Sequence, residues 1–420
     1  MNLIDARNRS AVQQLIYRRS GADAAVARRV RGIVSAVQER GDAALRGYAR
    51  RLDGLDGPLE VSRADMNRLA KTVSPPVRRA IALAARNIRT VARRQVPKGW
   101  RIRTSPGVSI EQRVTPLDRV GCYVPAGRYP LPSSLLMTAV PARIAGVREI
   151  LAVCPRPDAT VMLAALEAGV DRLFRIGGAQ AIAALAYGTS TVPRVDRIVG
   201  PGNAYVAAAK ALVARDCAID FFAGPSEIVI VSSRGNPAWI AADLLAQAEH
   251  DPLARALLLT PSRRLAVAVA RELEHQTPVA GPAREALVRN GGIVVTRSLR
   301  EAIALSQQIA PEHVVCDDEA VAAKLTVAGT VFVGSFSAQA LGDYVTGSNH
   351  VLPTSGAARA RGGLSATDFV RVSSVQRVTR GGLRAVGPAA IVLAEAEGLT
   401  AHAASIRART RTTTSRGGSR

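Results

Sequence analysis

A chain of 420 residues, 48% apolar and 21% charged, is longer than one hydrophobic core usually serves and predicts two or three domains. No run approaches the roughly 20 apolar residues that span a bilayer, and the opening MNLIDARNRS lacks a secretory signal's apolar stretch, so a soluble cytoplasmic protein is expected. Cys122, Cys154, Cys217 and Cys316 stand far apart without a CxxC pair, which argues against a disulfide framework or thiolate zinc cluster and for buried small hydrophobes. The formal charge of +23 comes from 56 basic against 33 acidic residues, and only Lys71, Lys98, Lys210 and Lys324 are lysine. The arginines are spread along the chain and aromatics are 4%, so the charge reads as solvated arginine faces, not as the basic stripe with interleaved aromatics of a nucleic-acid binder.

Residues 22–52 lack proline and read as an amphipathic helix. Ser74-Pro75 opens a second, in which Val77, Ile81, Ala84, Ile88 and Val91 fall at helical spacing. From Glu149 onward, short β-branched runs alternate with alanine-rich helical stretches. ILAVC leads into VMLAALEAG, LFRIGG into AQAIAALAYG, RIVGPG into NAYVAAAKALVA and EIVIVSS into PAWIAADLLAQAEH. ALLLT then precedes RRLAVAVARELE, and GGIVV precedes LREAIALSQQIA. Strand, crossover helix, strand at this spacing means parallel sheets with helices on both faces, and the length suits two such sheets better than one large one. A glycine-punctuated stretch follows Gly334, residues 389–409 read as a closing strand and helix, and the tail SIRARTRTTTSRGGSR is expected to be disordered.

Three turns, Gly177-Gly178-Ala179-Gln180, Gly200-Pro201-Gly202-Asn203 and Ala223-Gly224-Pro225-Ser226, stand where backbone N–H groups and a helix end can face a phosphate or hydroxyl. None is GxGxxG, so spacing alone leaves a nucleotide site and ordinary turn chemistry both open. Four of the five histidines stand near carboxylates or amides, in Gln247…His250, Glu312-His313, Asp343…His350 and Glu397…His402. Gln247 and His250 lie three apart in a segment that reads as helix, so they would share a face. With Asp343 in the loop Gly342-Asp343-Tyr344, and with His402, they offer imidazole, carboxylate and amide donors without thiolate. Such a set suits Zn²⁺ with positions left open for substrate. Glu312-His313 joins two groups that titrate apart, as proton transfer needs, and Pro311 would start a helix that holds them rigidly. The blander alternative is a carboxylate at a helix N-terminus beside an exposed histidine. His350 reads either as a turn residue bonding the backbone or as a contact to substrate.

The segments VGCYVPAGRYPLPSSLLMTAVPARIAGV, IGGAQAIAALAYGT, VGPGNAYVAAAK, AGPSEIVIV, DLLAQAEHDP, APEHV, GDYVTGSNHVLPT, GGLSATDFVRVSSVQ and EGLTAHAASI resemble the successive motifs of the histidinol dehydrogenase family. They run in the family's order from about residue 20 to residue 408. The resemblance implies an α/β fold of two incomplete Rossmann-like parallel-sheet domains with helical N-terminal and C-terminal extensions. It implies oxidation of L-histidinol to L-histidine through the bound aldehyde, using Zn²⁺ and NAD, as the last steps of histidine biosynthesis. Carried over by position, it makes Gln247, His250, Asp343 and His402 the zinc ligands and Glu312 with His313 the acid-base pair. Tyr123, Gln180 and Asn203 would touch the cofactor. Ser226, His313, His350, Glu397 and the zinc ligands would touch substrate. A homodimer with shared active sites is implied, its C-terminal segment crossing so that His402 completes the other chain's site, with no specific nucleic acid and no membrane as partner.

The domain division expected on this basis is residues 1–122, the helical part of the first α/β domain, then 123–226 as the cofactor domain and 227–366 as the remainder of the first domain with the metal site. Residues 367–408 would form the dimerisation segment and 409–420 the basic tail. Three positions depart from the family pattern: Ala126 stands for a glycine, Ser337-Ala338-Gln339 replaces a Ser-Pro-Glu stretch, and Arg371 replaces a lysine. These leave a paralogue acting on another amino alcohol or diol as the competing enzyme reading. A non-catalytic nucleic-acid binder built on the positive charge is the third.

Overall fold

The computed structural model describes residues 1–16, 24–125, 131–222 and 224–411. The chain divides into two compact units, one of residues 1–95 with 117–369 and the other of residues 96–116 with those from 370 onward. The larger unit holds two six-stranded sheets. One contains β2 (Glu60–Val61), β5 (Arg119–Tyr123), β6 (Glu149–Val153), β7 (Arg172–Phe174), β8 (Arg197–Val199) and β9 (Ala218–Ile219), in the order β2-β7-β6-β5-β8-β9. The other contains β1 (Asn2–Asp5), β10 (Glu227–Val231), β11 (Arg255–Thr260), β12 (Gly292–Val295), β13 (His313–Cys316) and β14 (Thr330–Val333), in the order β1-β12-β11-β10-β13-β14. Every pairing in both is parallel except that of β2 with β7. In each sheet the earliest strand, β2 or β1, lies at one edge; the other five start at the centre with β5 or β10, wind two strands toward that edge, then return to the other side for two, a Rossmann-like pattern with its switch point beside β5 in one and β10 in the other.

The apolar runs become strands because both faces of each sheet are covered. Along β10, Ile228 and Ile230 join one buried cluster while Val229 and Val231 join the opposite one, and Leu258 and Leu257 divide in the same way on β11. A strand buried on both faces reads as an unbroken apolar run, so EIVIV and ALLLT carry no polar alternation. Before the first sheet, the helix Ala24–Tyr48 buries Val30, Ile33, Val34, Val37 and Leu45 and breaks at Gly41, whose φ of 51° suits glycine. The helix Pro75–Gln95 buries Ile81, Ala84 and Ile88 as expected, whereas Val77 is exposed. All four cysteines are buried and free.

The smaller unit is an antiparallel sheet in the order β15-β4-β3, from β3 (Trp100–Ser105), β4 (Val108–Pro116) and β15 (Val370–Val378), followed by helices Arg380–Ala396 and Thr400–Arg411. The closing strand expected within residues 389–409 is therefore helix: the Thr379 side chain caps it by accepting from the Gly382 N–H, and periodicity over so short an apolar run does not separate helix from strand. The tail is helical as far as Arg411, and residues 412–420 lie outside the described residues, as do Ala126 and Ala223. The expected division at 122/123 falls inside β5, β1 joins the sheet of β10, and the C-terminal unit starts at 370 and takes in residues 96–116.

Candidate active site

In the first sheet, polar side chains converge where strands end. Tyr123 closes β5 at the switch point, and its hydroxyl accepts from the Gly178 N–H at 3.1 Å. Gly200, just past β8, has φ +114°, and a Cβ there would collide with the Tyr123 carbonyl, so only glycine fits. Both backbone groups of Gly200 are held by the buried pair Lys210–Asp220: the N–H donates to Asp220 Oδ2 at 2.8 Å and the carbonyl accepts from Lys210 Nζ at 3.1 Å. Asn203 caps the helix Ala204–Val213 by accepting from the Tyr205 and Val206 N–H groups. Gln180 is buried, donates to Asp53 Oδ2 at 3.0 Å, and leaves its own Oε1 without a hydrogen-bond partner. Burial pushes the Asp53 carboxyl upward, an effect that the Gly177 and Gln180 hydrogen bonds and the charge of Arg156 oppose. Tyr123, Gln180 and Asn203 line one cleft of about 900 Å³ together with Arg29, Arg51 and Arg156, which no sequence motif marks.

In the second sheet the polar groups gather where strands begin. Glu312 and His313 are both buried, at 6% and 3% exposure, and lead into β13. Pro311 starts no helix, and His313 is not exposed, so both settings weighed from the sequence are replaced by a strand start inside the core. The backbone of Glu227 serves both side chains. Its N–H donates to Glu312 Oε2 at 2.8 Å, and its carbonyl lies 3.1 Å from His313 Nδ1. A carbonyl only accepts, so Nδ1 carries the proton and Nε2 is the bare nitrogen. Burial lowers the His313 pKa to about 4, keeping the ring neutral at physiological pH. Burial likewise raises Glu312 well above the ordinary carboxyl range, and the nearby charges of Glu227 and Asp343 push the same way.

Asp343 lies in the short helix Gln339–Tyr344, not in a loop. Its carboxylate accepts from Gln339 Nε2 at 2.8 Å, stands 3.9 Å from His313 Nε2 and 4.0 Å from His250 Nε2. Its backbone carbonyl accepts from His350 Nδ1 at 2.8 Å, which puts His350 in the role of a residue bonding the backbone. Gln339 also approaches His313 Nε2 at 3.3 Å. Gln247 is buried in the last turn of the helix Pro237–Ala248, and its Oε1 has no hydrogen-bond partner. The shared helical face expected for Gln247 and His250 is not formed, because the helix ends at Ala248 and His250 lies past its cap, half exposed. Ser226 directly precedes β10 and accepts through its carbonyl from the Arg255 N–H at 2.9 Å. Glu397 and His402 belong to the smaller unit, where both are exposed, Glu397 as the cap of the helix Arg380–Ala396 and His402 in the helix Thr400–Arg411.

Among the described residues no three His, Cys, Asp or Glu side chains form a group that holds an ion by themselves. The Asp343 carboxylate does have the imidazoles of His250 and His313 within about 4 Å and His350 on its backbone carbonyl, while the unsatisfied Gln247 Oε1 lies in the last turn of the helix Pro237–Ala248. The sequence reading missed Glu227, Arg255 and Asp53. A carboxylate opening the fully buried run EIVIV is the signal that marks Glu227, since charged residues are almost never fully buried without a partner.

The family model described as Histidinol dehydrogenase matches residues 16–410. The chain is 47% identical over 395 residues to a histidinol dehydrogenase of Synechococcus, covering 90% of this chain and 91% of that protein. It is 46% identical over 397 residues to one of Methanothermobacter thermautotrophicus, covering 91% and 93%. The crystal structure of histidinol dehydrogenase from Elizabethkingia anophelis is similar with a TM-score of 0.94 at 33% identity, covering 99% of each chain.

Proposed function

The chain belongs to the histidinol dehydrogenase family, whose members are oxidoreductases of histidine biosynthesis, and we propose that it oxidises L-histidinol to L-histidine through L-histidinaldehyde. NAD occupies the cleft around Tyr123, Gln180 and Asn203, and Zn²⁺ is held by Gln247, His250 and Asp343 together with the partner subunit's His402. The enzyme works as a cytoplasmic homodimer. The observation that carries this reading is the buried Glu312–His313 pair, anchored on one peptide, with a bare ring nitrogen 3.9 Å from the Asp343 carboxylate.

The donor chemistry fits the ion. An unsatisfied buried amide oxygen, a carboxylate and an imidazole are borderline-hard N/O donors, and the three leave room for a further ligand and for substrate. Ligands of one tetrahedral zinc stand about 3.4 Å apart, close to the 4.0 Å between His250 and Asp343. A partner is also supported by the smaller unit, where Ile102, Val372, Val378, Val392 and Leu393 are each at least half exposed, an apolar surface that a second copy would cover. In the cofactor cleft, Arg29, Arg51 and Arg156 supply positive charge for a diphosphate.

Zinc held by Gln247, His250, Asp343 and the partner subunit's His402 would supply Lewis-acid chemistry beside His313. His313 Nε2 takes the carbinol proton as the first hydride leaves for the nicotinamide, giving the aldehyde. Glu312 then removes a proton from the water that adds to the aldehyde carbon; its raised pKa makes its carboxylate a stronger base than an exposed one. After His313 has passed the first proton to solvent, the hydrate anion gives its hydride to a second NAD⁺ and His313 takes the remaining hydroxyl proton. One water enters, and two hydrides and three protons leave with the carboxylate product.

Purified protein supplied with histidinol and NAD⁺ is expected to form two NADH per substrate, to lose this activity to a chelator and to regain it with Zn²⁺. A paralogue specificity is favoured by one observation, Gln339 beside Asp343 where the family pattern has a carboxylate. Turnover of other amino alcohols or diols with none of histidinol would establish that reading instead.

A further inference from the structure

We propose that the ion pair between buried Glu227 and partly buried Arg255 is the positioning device of the acid-base pair, holding the one peptide from which both Glu312 and His313 take their orientation. The proposal rests on reading those two residues as the proton-transfer groups. β10 begins at Glu227 and β13 at His313, and the register pairs Ile228 with His313. Glu227 thus sits at the open end of the ladder, with backbone groups that need partners. It satisfies them with catalytic side chains: the N–H goes to Glu312 Oε2 at 2.8 Å, and the carbonyl takes the His313 Nδ1 proton at 3.1 Å. A slip of this peptide would rotate the base and displace the carboxyl together.

What holds the peptide is an ion pair in the core. Glu227 is 3% exposed; its Oε1 accepts from Arg255 Nη1 at 3.0 Å and its Oε2 from the Ser355 N–H at 3.3 Å. Arg255 opens β11 directly opposite in register. Its own N–H donates to the Ser226 carbonyl at 2.9 Å, and its Nη2 to the Leu15 carbonyl at 2.5 Å. Arg255 therefore fixes two consecutive residues, 226 through the backbone and 227 through the side chain. Apolar residues at such sites usually stabilise a fold as well as a buried ion pair does, so two charges heading EIVIV and RALLLT point to a task besides stability.

The test compares Glu227→Gln, Arg255→Lys and Glu227→Gln/His313→Gln with the wild type and with Glu312→Gln and His313→Gln, following each half-reaction with histidinol or the aldehyde as substrate. Glu227→Gln is expected to lower kcat on the order of 10- to 100-fold in both half-reactions, the scale on which an ångström of misplacement acts. KM for histidinol and metal content should stay within roughly twofold, and Arg255→Lys should retain most of the rate. In the His313→Gln background, Glu227→Gln should cost alcohol oxidation less than roughly threefold, because it acts through a residue already removed. An equal cost with and without His313, or a raised KM at unchanged kcat, would overturn the proposal. Full activity of both Glu312→Gln and His313→Gln would instead remove the acid-base reading itself. If circular dichroism shows that Glu227→Gln does not fold, Arg255→Met in the presence and absence of His313→Gln carries the same comparison.

Discussion

Tyr123, Gln180 and Asn203 stand at or just past the carboxyl ends of β5, β7 and β8, whereas Glu227 and His313 open β10 and β13 at their amino ends. Two sheets of the same strand order thus present their polar side chains at opposite ends. Open parallel sheets ordinarily bind ligands outside the carboxyl ends at the switch point, and the first sheet does. The second has that crevice narrowed: Asp317 accepts from Ser232 Oγ at 2.6 Å and from the Ser233 N–H at 2.7 Å, beside a cavity of about 40 Å³ against about 900 Å³ in the first. Helix polarity explains why either end is useful. At the carboxyl ends of the strands the helices Gly178–Tyr187 and Ala204–Val213 begin, and their N-termini suit a diphosphate. At the amino ends the helix Pro237–Ala248 finishes one residue past Gln247 and Leu299–Ile309 just before Glu312, and helix C-termini suit a cation.

If the two ends work separately, variants at one should spare the other. His313→Gln is expected to lower kcat by about 10² to 10⁴, the usual worth of a general base, with the NAD dissociation constant unchanged by calorimetry. Parallel loss of cofactor affinity would break the comparison. Glu312→Gln should slow aldehyde oxidation about 10²-fold, and more than alcohol oxidation, because only the former needs water activated. Equal losses in the two half-reactions would put both residues in one role. At the cofactor end, Arg156→Ala is expected to raise KM for NAD about 10-fold at constant kcat, the worth of one charge-assisted contact.

The smallest effect concerns Asp243, beside the narrowed crevice, whose pKa burial raises from 3.8 to about 6. The folded state then holds this proton more tightly than the unfolded, so the contribution is fully present below about pH 4 and is lost as pH rises through 6. Asp243→Asn should match the wild type near pH 4 and exceed it above pH 6, by roughly 2 °C in Tm at pH 8. A constant difference across that range would contradict the assignment.

How much of this was legible from residues follows burial. β10 and β11 were readable because covering both faces imposes unbroken apolar runs. β3 and β15, with WRIRTS and VRVSSVQRV, were not: WRIRTS alternates over a few residues only, VRVSSVQRV loses its alternation at Ser374, and neither face of either strand is buried against the chain. Glu312-His313 stood out as a dipeptide, but its setting at a strand start depends on the register of β10 against β13, which no local pattern encodes. His250 misses the expected face by two residues, since the helix ends at Ala248. Glu227 and Arg255 are single charges beside apolar runs in the sequence, and only the register puts them opposite each other.

In the proposed function cation and cofactor occupy opposite ends of the two sheets and are held by separate residues. Metal analysis of His250→Asn combined with NAD titration by calorimetry tests it directly. The expected result is loss of zinc and of histidinol turnover in a folded protein that binds NAD with wild-type affinity. Retained zinc with full turnover, or NAD affinity lost along with the metal, would contradict it.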